Sequence, residues 1–130
     1  MEAISRGAKK VYLIEKNRRV FKNLESNFKL FDSFQYQLNN SDSIIFLDKK
    51  NDNPFDIVFL DPPFNQNLIP LILVLLSQKN YLHIESQIYI ESEYEITPKI
   101  LNNHLEYNCR IKKQKKSGNV HYCLISLEAI

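Results

Sequence analysis

A chain of 130 residues, 44% hydrophobic and 25% charged, has the composition of an ordinary globular protein and is expected to form one domain over residues 1–130. Its formal net charge of +2 admits a polyanionic partner without demanding one. The longest apolar run, 68–76, is broken by Pro70 and is about half of what a bilayer-spanning helix needs, so no membrane partner is expected. The opening "MEAISRGAKK" lacks the apolar centre of a signal peptide. Cys109 and Cys123 have neither metal-ligand spacing nor the density of a disulfide framework, and they read as reduced thiols in a cytoplasmic protein.

In chain order, "EAISRGA" has the pattern of two helical turns stopped by Gly7. Residues 10–14, "KVYLI", predict a strand ending at Glu15. From Asn17, a reasonable N-cap, Val20, Phe21, Leu24, Phe28 and Phe31 recur at helical spacing. "FQYQL" (34–38) alternates as a short strand. A turn follows, with Ser41 or Asp42 able to cap a short helix through "SIIFLDKK". "DIVFLD" is a strand apolar on both faces, as expected of a central parallel strand. "LIPLILVLLSQ" predicts a helix that tolerates Pro70 only in its first turn. "QIYIESE" is a further strand, and "TPKILNNH" a short helix capped by Thr97. The rest reads as a β-hairpin turning at 117–119. Alternating strands and helices closed by an antiparallel hairpin predict a doubly wound α/β sheet with a mixed edge.

Open α/β sheets bind ligands beyond the carboxyl ends of their strands. Glu15, Asp42 and Asp61 occupy such ends. Glu15 suits either a ribose, whose hydroxyls a carboxylate accepts, or the dipole of the helix behind it. Asp42 suits either a ligand or a helix cap. Asp61-Pro62-Pro63-Phe64 is the strongest signal. The nitrogen of an exocyclic base amine is a poor nucleophile, because its lone pair is delocalised into the ring. A carboxylate and a proline carbonyl that accept its N–H groups can hold that lone pair toward a methyl group. Two prolines fix the loop beforehand, and Phe64 offers a face for an extruded base. The plainer alternative is a strand-ending turn beside a core phenylalanine.

With these residues the chain resembles the S-adenosylmethionine-dependent amino-methyltransferases. More narrowly, it resembles the bacterial family that methylates N2 of one guanine in 16S (small-subunit) ribosomal RNA. The supporting stretches are "EAISRGAKKVYLIEKN", "NSDSIIFL", "FDIVFLDPPF", "IYIESE" and "KKSGNVHYCLI", spread over essentially the whole chain. The resemblance implies a Rossmann-like fold and S-adenosylmethionine as methyl donor. It places Glu15 at the donor's ribose and Asp42 with Ser43 beside its adenine. Asp61, Pro62, Pro63 and Phe64 would form the base pocket. It also places a first strand and a glycine-rich loop ahead of Met1, the strand lying between those that end at Glu15 and Asp61. The chain's two glycines, Gly7 and Gly118, are far apart, so no phosphate-type cradle is expected within it. An N-terminally truncated domain is therefore expected.

Arg110, Lys112, Lys113, Lys115 and Lys116 put five positive charges into seven residues, which suits either phosphate binding or a solvated hairpin end. The three histidines show no ligand spacing, and no metal site is expected. The expected partner is 16S rRNA or the assembling small subunit, bound by a cytoplasmic monomer. Alternatives are an inactive remnant of the same family and a DNA adenine-N6 methyltransferase. "FDIVFLD" also resembles the phosphoacceptor strand of receiver domains. A receiver, however, needs paired acids on an earlier strand and a lysine after a later one, whereas "IYIESE" ends in Glu, Ser and Glu.

Overall fold

The computed structural model describes residues 7–63 and 66–129. The segment 1–6, which carries most of the expected opening helix, lies outside them, as do Phe64 and Asn65. The fold divides into two compact units, Met1–Phe46 and Leu47–Ile130. Among the described residues the strands form two sheets, one of two strands and one of four.

In the first unit, β1 (Val11–Glu15) runs parallel to β2 (Tyr36–Asn40), with Val11 opposite Tyr36 and Glu15 opposite Asn40. Between them lies α1 (Arg18–Phe28), where the Asn17 side chain accepts the Val20 N–H at 3.0 Å. The helix stops at Phe28 rather than running to Phe31. Phe28 is fully buried, and its ring meets those of Phe31 and Tyr36 at centroid distances of 5.9 and 5.0 Å. The strand expected at 34–38 starts two residues later. A 3-10 turn, Ser33–Gln35, intervenes: the Gln35 N–H bonds the Asp32 carbonyl, and the Gln35 side chain accepts the Asp32 N–H. Helix α2 (Ser43–Leu47) follows β2.

The second unit holds β3 (Ile57–Leu60), α3 (Ile69–Gln78), β4 (Gln87–Ser92), α4 (Pro98–His104), β5 (Asn108–Ser117) and β6 (Val120–Glu128). The sheet order is β3-β4-β6-β5, with β3 parallel to β4 and the other pairs antiparallel. Pro70 sits in the first turn of α3, where its missing N–H removes no helical bond. Thr97 caps α4 by accepting the Ile100 N–H at 3.3 Å. The hairpin turns on Gly118 and Asn119. Gly118 has φ +60° at the first central position, as a type II′ turn requires. The core comprises Ile88, Ile90 and Ser92 on one side of β4, Ile125 of β6, and Leu73, Leu76 and Leu101 from the helices, all 3% exposed or less. The loops before β3 and β4 are tied together: the buried Ser86 hydroxyl donates to the Phe55 carbonyl at 2.6 Å, and the Gln87 N–H to the Asp56 carbonyl at 2.9 Å.

β1 and β3 are each paired on one side only among the described residues. On β3 the side chains of Ile57 and Phe59 are 55% and 71% exposed. No helix among the described residues is long and apolar enough to cross a membrane. Ile125 is fully enclosed, so Ile125→Ala is expected to cost about 2–5 kcal/mol of stability. Urea unfolding with an unchanged slope and a lowered midpoint is the measurement that checks it.

Candidate functional site

In the first unit the carboxyl ends of β1 and β2 converge on two acids. One oxygen of Glu15, Oε1, accepts the Asn17 N–H at 2.9 Å. The other has no partner among the described residues. The backbone there is fixed by Asn40, whose side-chain amide donates to the carbonyls of Glu15 and Lys16 at 2.9 and 3.2 Å, and by the Ser41 N–H, which donates to the Glu15 carbonyl at 3.1 Å. Asp42 is the cap of α2. Its Oδ1 accepts the Ile44 and Ile45 N–H groups at 2.8 and 3.4 Å, and its Oδ2 lies 3.5 Å from the Lys16 ammonium. Ser41, the other capping candidate, instead bonds the Asp42 carbonyl. Ser43 opens α2 beside this cap.

In the second unit, Asp61, Pro62 and Pro63 leave the end of β3. Pro62 and Pro63 line a cleft closed from the other side by the end of β4, with Glu91, Ser92, Glu93 and Tyr94. The start of α3 completes it. There Asn67 takes the left-handed backbone, φ +49°, which is uncommon for a residue with a Cβ and recurs at functional sites. Asp61 lies one residue beyond the last pair of the ladder, Leu60 opposite Ile90, and Glu91 follows Ile90 on β4. Tyr89 stands two residues before Glu91 on β4. Its hydroxyl donates to Glu91 Oε1 at 3.4 Å; burial, then the Glu91 charge and bond, then Tyr122 and Asp61 push its pKa up. The sequence reading took Asp61 to Phe64, the last of them outside the described residues, and did not include Glu91 to Tyr94, which line the cleft. The available signal was the rule already applied to Glu15 and Asp61, that ligands gather at the carboxyl ends of strands.

The five cations all lie exposed on β5, and the register arranges them. Between Ile111 and Lys113 a β-bulge leaves Lys112 without a partner in the ladder. Plain alternation would put Arg110 and Lys113 on opposite faces. With the bulge, Arg110, Lys113 and Lys115 pair with Ser126, Leu124 and Tyr122, alternate residues of β6 that share one face. Two rungs then run across the sheet from the cleft to the hairpin: Glu91 opposite Tyr122 opposite Lys115, and Ser92 opposite His121 opposite Lys116.

The remaining reactive side chains serve structure. His83 accepts the Glu85 N–H on Nδ1 and bonds Asp56 through Nε2 at 2.8 Å, and His104 bonds the Ile100 carbonyl. Burial pushes the free thiols of Cys109 and Cys123 up to about 11, so they stay protonated near neutral pH. Among the described residues no cluster of three or more His, Cys, Asp or Glu could hold a metal ion.

An α/β sheet with a closing antiparallel hairpin and an acid-Pro-Pro segment at a strand end is the methyltransferase fold, and solved structures agree. The chain superposes on the methyltransferase candidate yhhF from Escherichia coli with a TM-score of 0.85 at 35% identity, covering 99% of this chain and 68% of that one. For the methylase candidate HI0767 from Haemophilus influenzae the TM-score is 0.84 at 36% identity, over 98% and 78%. Residues 1–126 match the family model described as "Conserved hypothetical protein 95", and the chain belongs to that family. Among curated relatives, the ribosomal RNA small subunit methyltransferase D of Haemophilus influenzae is 37% identical over 129 residues, 95% of this chain and 63% of that protein. The protein of the same name from Escherichia coli is 35% identical over 132 residues, 99% and 63%. The chain thus spans just under two thirds of the length of these relatives.

The Ile44 N–H, joined by the Ile45 N–H and Lys16, outweighs partial burial and holds the Asp42 carboxyl below its ordinary 3.8. Its folded pKa is depressed, so its contribution is complete above 3.8 and lost as pH falls through the lowered folded value. Asp42→Ala is therefore expected to lower the urea midpoint at pH 6. The gap from the unmutated chain should close on acidification below 3.8. A gap that persists unchanged at low pH would contradict the capping role.

Proposed function

We propose that this chain is the catalytic part of an S-adenosylmethionine-dependent methyltransferase acting on the N2 amine of a guanine in 16S rRNA. The observation that carries the reading is the acid-Pro-Pro segment at the end of β3, set at the mouth of a cleft beside the end of β4. The names of the relatives support the RNA substrate.

On this reading the first unit contributes donor contacts. The Glu15 oxygen left without a partner accepts a ribose hydroxyl, and its other oxygen, tied to Asn17, keeps the carboxylate oriented. Asp42 and Ser43 lie beside the adenine. Asp42 is largely engaged with α2, so its contact there uses the oxygen facing the exposed Lys16. The bound S-adenosylmethionine supplies an electrophilic methyl group.

The second unit contributes the base contacts. Asp61 and the Pro62 carbonyl accept the two N–H groups of the amine, which keeps its lone pair directed at the methyl rather than spread into the ring. Phe64, outside the described residues, is assigned to stacking on the base. As the methyl is transferred, the nitrogen gives up one proton, to Asp61 or to water. Arg110, Lys112, Lys113, Lys115 and Lys116 neutralise the phosphates on either side. Residues 1–130 act as one catalytic domain, a cytoplasmic monomer working on 16S rRNA or on the assembling small subunit.

Asp61→Ala is expected to abolish transfer of tritiated methyl to 16S rRNA and to leave donor binding largely intact. Full activity in that variant would sink the mechanism, and transfer to DNA in preference to rRNA would redirect it to an adenine amine. Replacing Lys115 and Lys116 together by alanine is expected to weaken binding of all RNA sequences alike. It should also lower the slope of log affinity against log salt by about 2, roughly one for each lost phosphate contact.

A further inference from the structure

A second recess lies at the closing hairpin and shares no residue with the cleft. It is an open pocket of about 370 Å3 lined by Glu95, Gln114, Lys115, Lys116 and His121, within the size range of small-ligand sites. The strand register builds one wall. Gln114 and Lys116 pair with Cys123 and His121, alternate residues of β6, and His121 pairs in turn with Ser92 of β4. Gln114, Lys116 and His121 therefore share the sheet face that carries Ile88, Ile90 and Ser92. Lys115 also lines the pocket, although it alternates to the other face. The opposite wall is the loop between β4 and α4, which carries Glu95. The next residue, Ile96, is 1% exposed, and its carbonyl accepts the Gln114 side-chain amide at 3.2 Å. That bond fastens the loop to β5 and holds Glu95 against the hairpin.

The polar groups of this pocket are not consumed by the fold. His83 and His104 use ring nitrogens in local bonds, whereas His121 has no hydrogen-bond partner among the described residues. Glu95, Lys115 and Lys116 form no ion pair among them either. An acid and cations thus line one recess without neutralising each other. A site for phosphate alone has no use for a carboxylate, which repels the anion. A ribonucleotide presents the complement of both signs: phosphate oxygens that only accept, and a 2′-hydroxyl that can donate. We infer that the pocket is a subsite for one ribonucleotide of a single strand, with Lys116 and His121 donating to its phosphate and Glu95 accepting its 2′-hydroxyl. A deoxyribonucleotide keeps the phosphate and has no hydrogen for Glu95. The inference rests on the RNA reading above and adds to it the contact that tells RNA from DNA.

Short oligouridine and oligodeoxyuridine of equal length differ only in the 2′-hydroxyl, so their comparison isolates Glu95. The experiment is fluorescence anisotropy of this chain with each labelled strand at low salt. The unmutated chain is expected to bind the ribo strand about tenfold more tightly, the worth of one hydrogen bond to a charged acceptor. In Glu95→Ala that ratio should fall to within about twofold, because the deoxy strand, relieved of the carboxylate, binds no worse than before. His121→Ala removes a phosphate contact that both strands make. It should therefore weaken both by about threefold and leave their ratio unchanged. Both substituted side chains lie at the surface of the pocket, and an unchanged urea midpoint confirms that each variant is folded. A ratio that is flat in the unmutated chain, or that survives Glu95→Ala, overturns the inference and leaves the RNA reading standing on its methyl-transfer assay. A ribo preference that depends on Glu95, in a protein that transfers no methyl group to 16S rRNA, upholds the subsite and sinks the methyltransferase reading instead.

Discussion

The second unit depends on β4 being paired along both edges, parallel to β3 and antiparallel to β6. A strand held on two sides cannot slip by one residue without turning Ile88, Ile90 and Ser92 out of the core. Its register therefore fixes which residues stand at its carboxyl end and which stand beside them. Glu91 and Ser92 meet the end of β3 on one side and the tip of the hairpin on the other. A loop could present the same side chains but would not hold them in step with two neighbours. The cleft and the cationic hairpin are connected through this one strand.

Much of this organisation is written locally in the sequence. The alternation of strands and helices, the caps at Asn17 and Thr97, Pro70 in a first turn and Gly118 in the hairpin turn each follow from residues within a few positions of one another. The misses share a cause. The end of α1 at Phe28 is set by a ring cluster with Phe31 and Tyr36, and the bulge at Lys112 exists only because β6 offers a fixed ladder for β5 to fall out of step with. Contacts between distant segments decide such features, and period-counting along one strand does not see them. The same holds for the site. Asp61 was legible because two prolines after an apolar strand are unusual in themselves. Glu91 and Ser92 read as the tail of an ordinary alternating strand, and only the β3–β4 pairing brings them to the cleft. Glu15 and Asp42 were legible as strand-end acids, but their division of labour was not. Asp42 gives most of its carboxylate to α2, whereas Glu15 keeps one oxygen without a partner among the described residues.

The charge pattern across the four-stranded sheet has a physical consequence of its own. Negative side chains stand at the cleft, Glu91 and Glu93, with Asp61 just ahead of Pro62, and positive ones on β5, two strands from β4. Along the rung Glu91–Tyr122–Lys115 the distance from acid to cation is about two strand spacings, roughly 10 Å at the backbone. That is about one Debye length at 0.1 M salt, so the two regions act on a ligand as distinct fields. A nucleic acid is charged along its backbone and neutral on its bases. On the function proposed above, the acids would repel phosphate from the cleft while their lone pairs accept base N–H groups, and the lysines would hold phosphate nearby. Tyr122, standing between them, offers a ring rather than a charge at the crossing. A sheet face of uniform charge would bind the backbone without distinguishing which part of the nucleotide points inward. On the same reading, the separation of sign along one register would supply that orientation before any hydrogen bond to a base has formed.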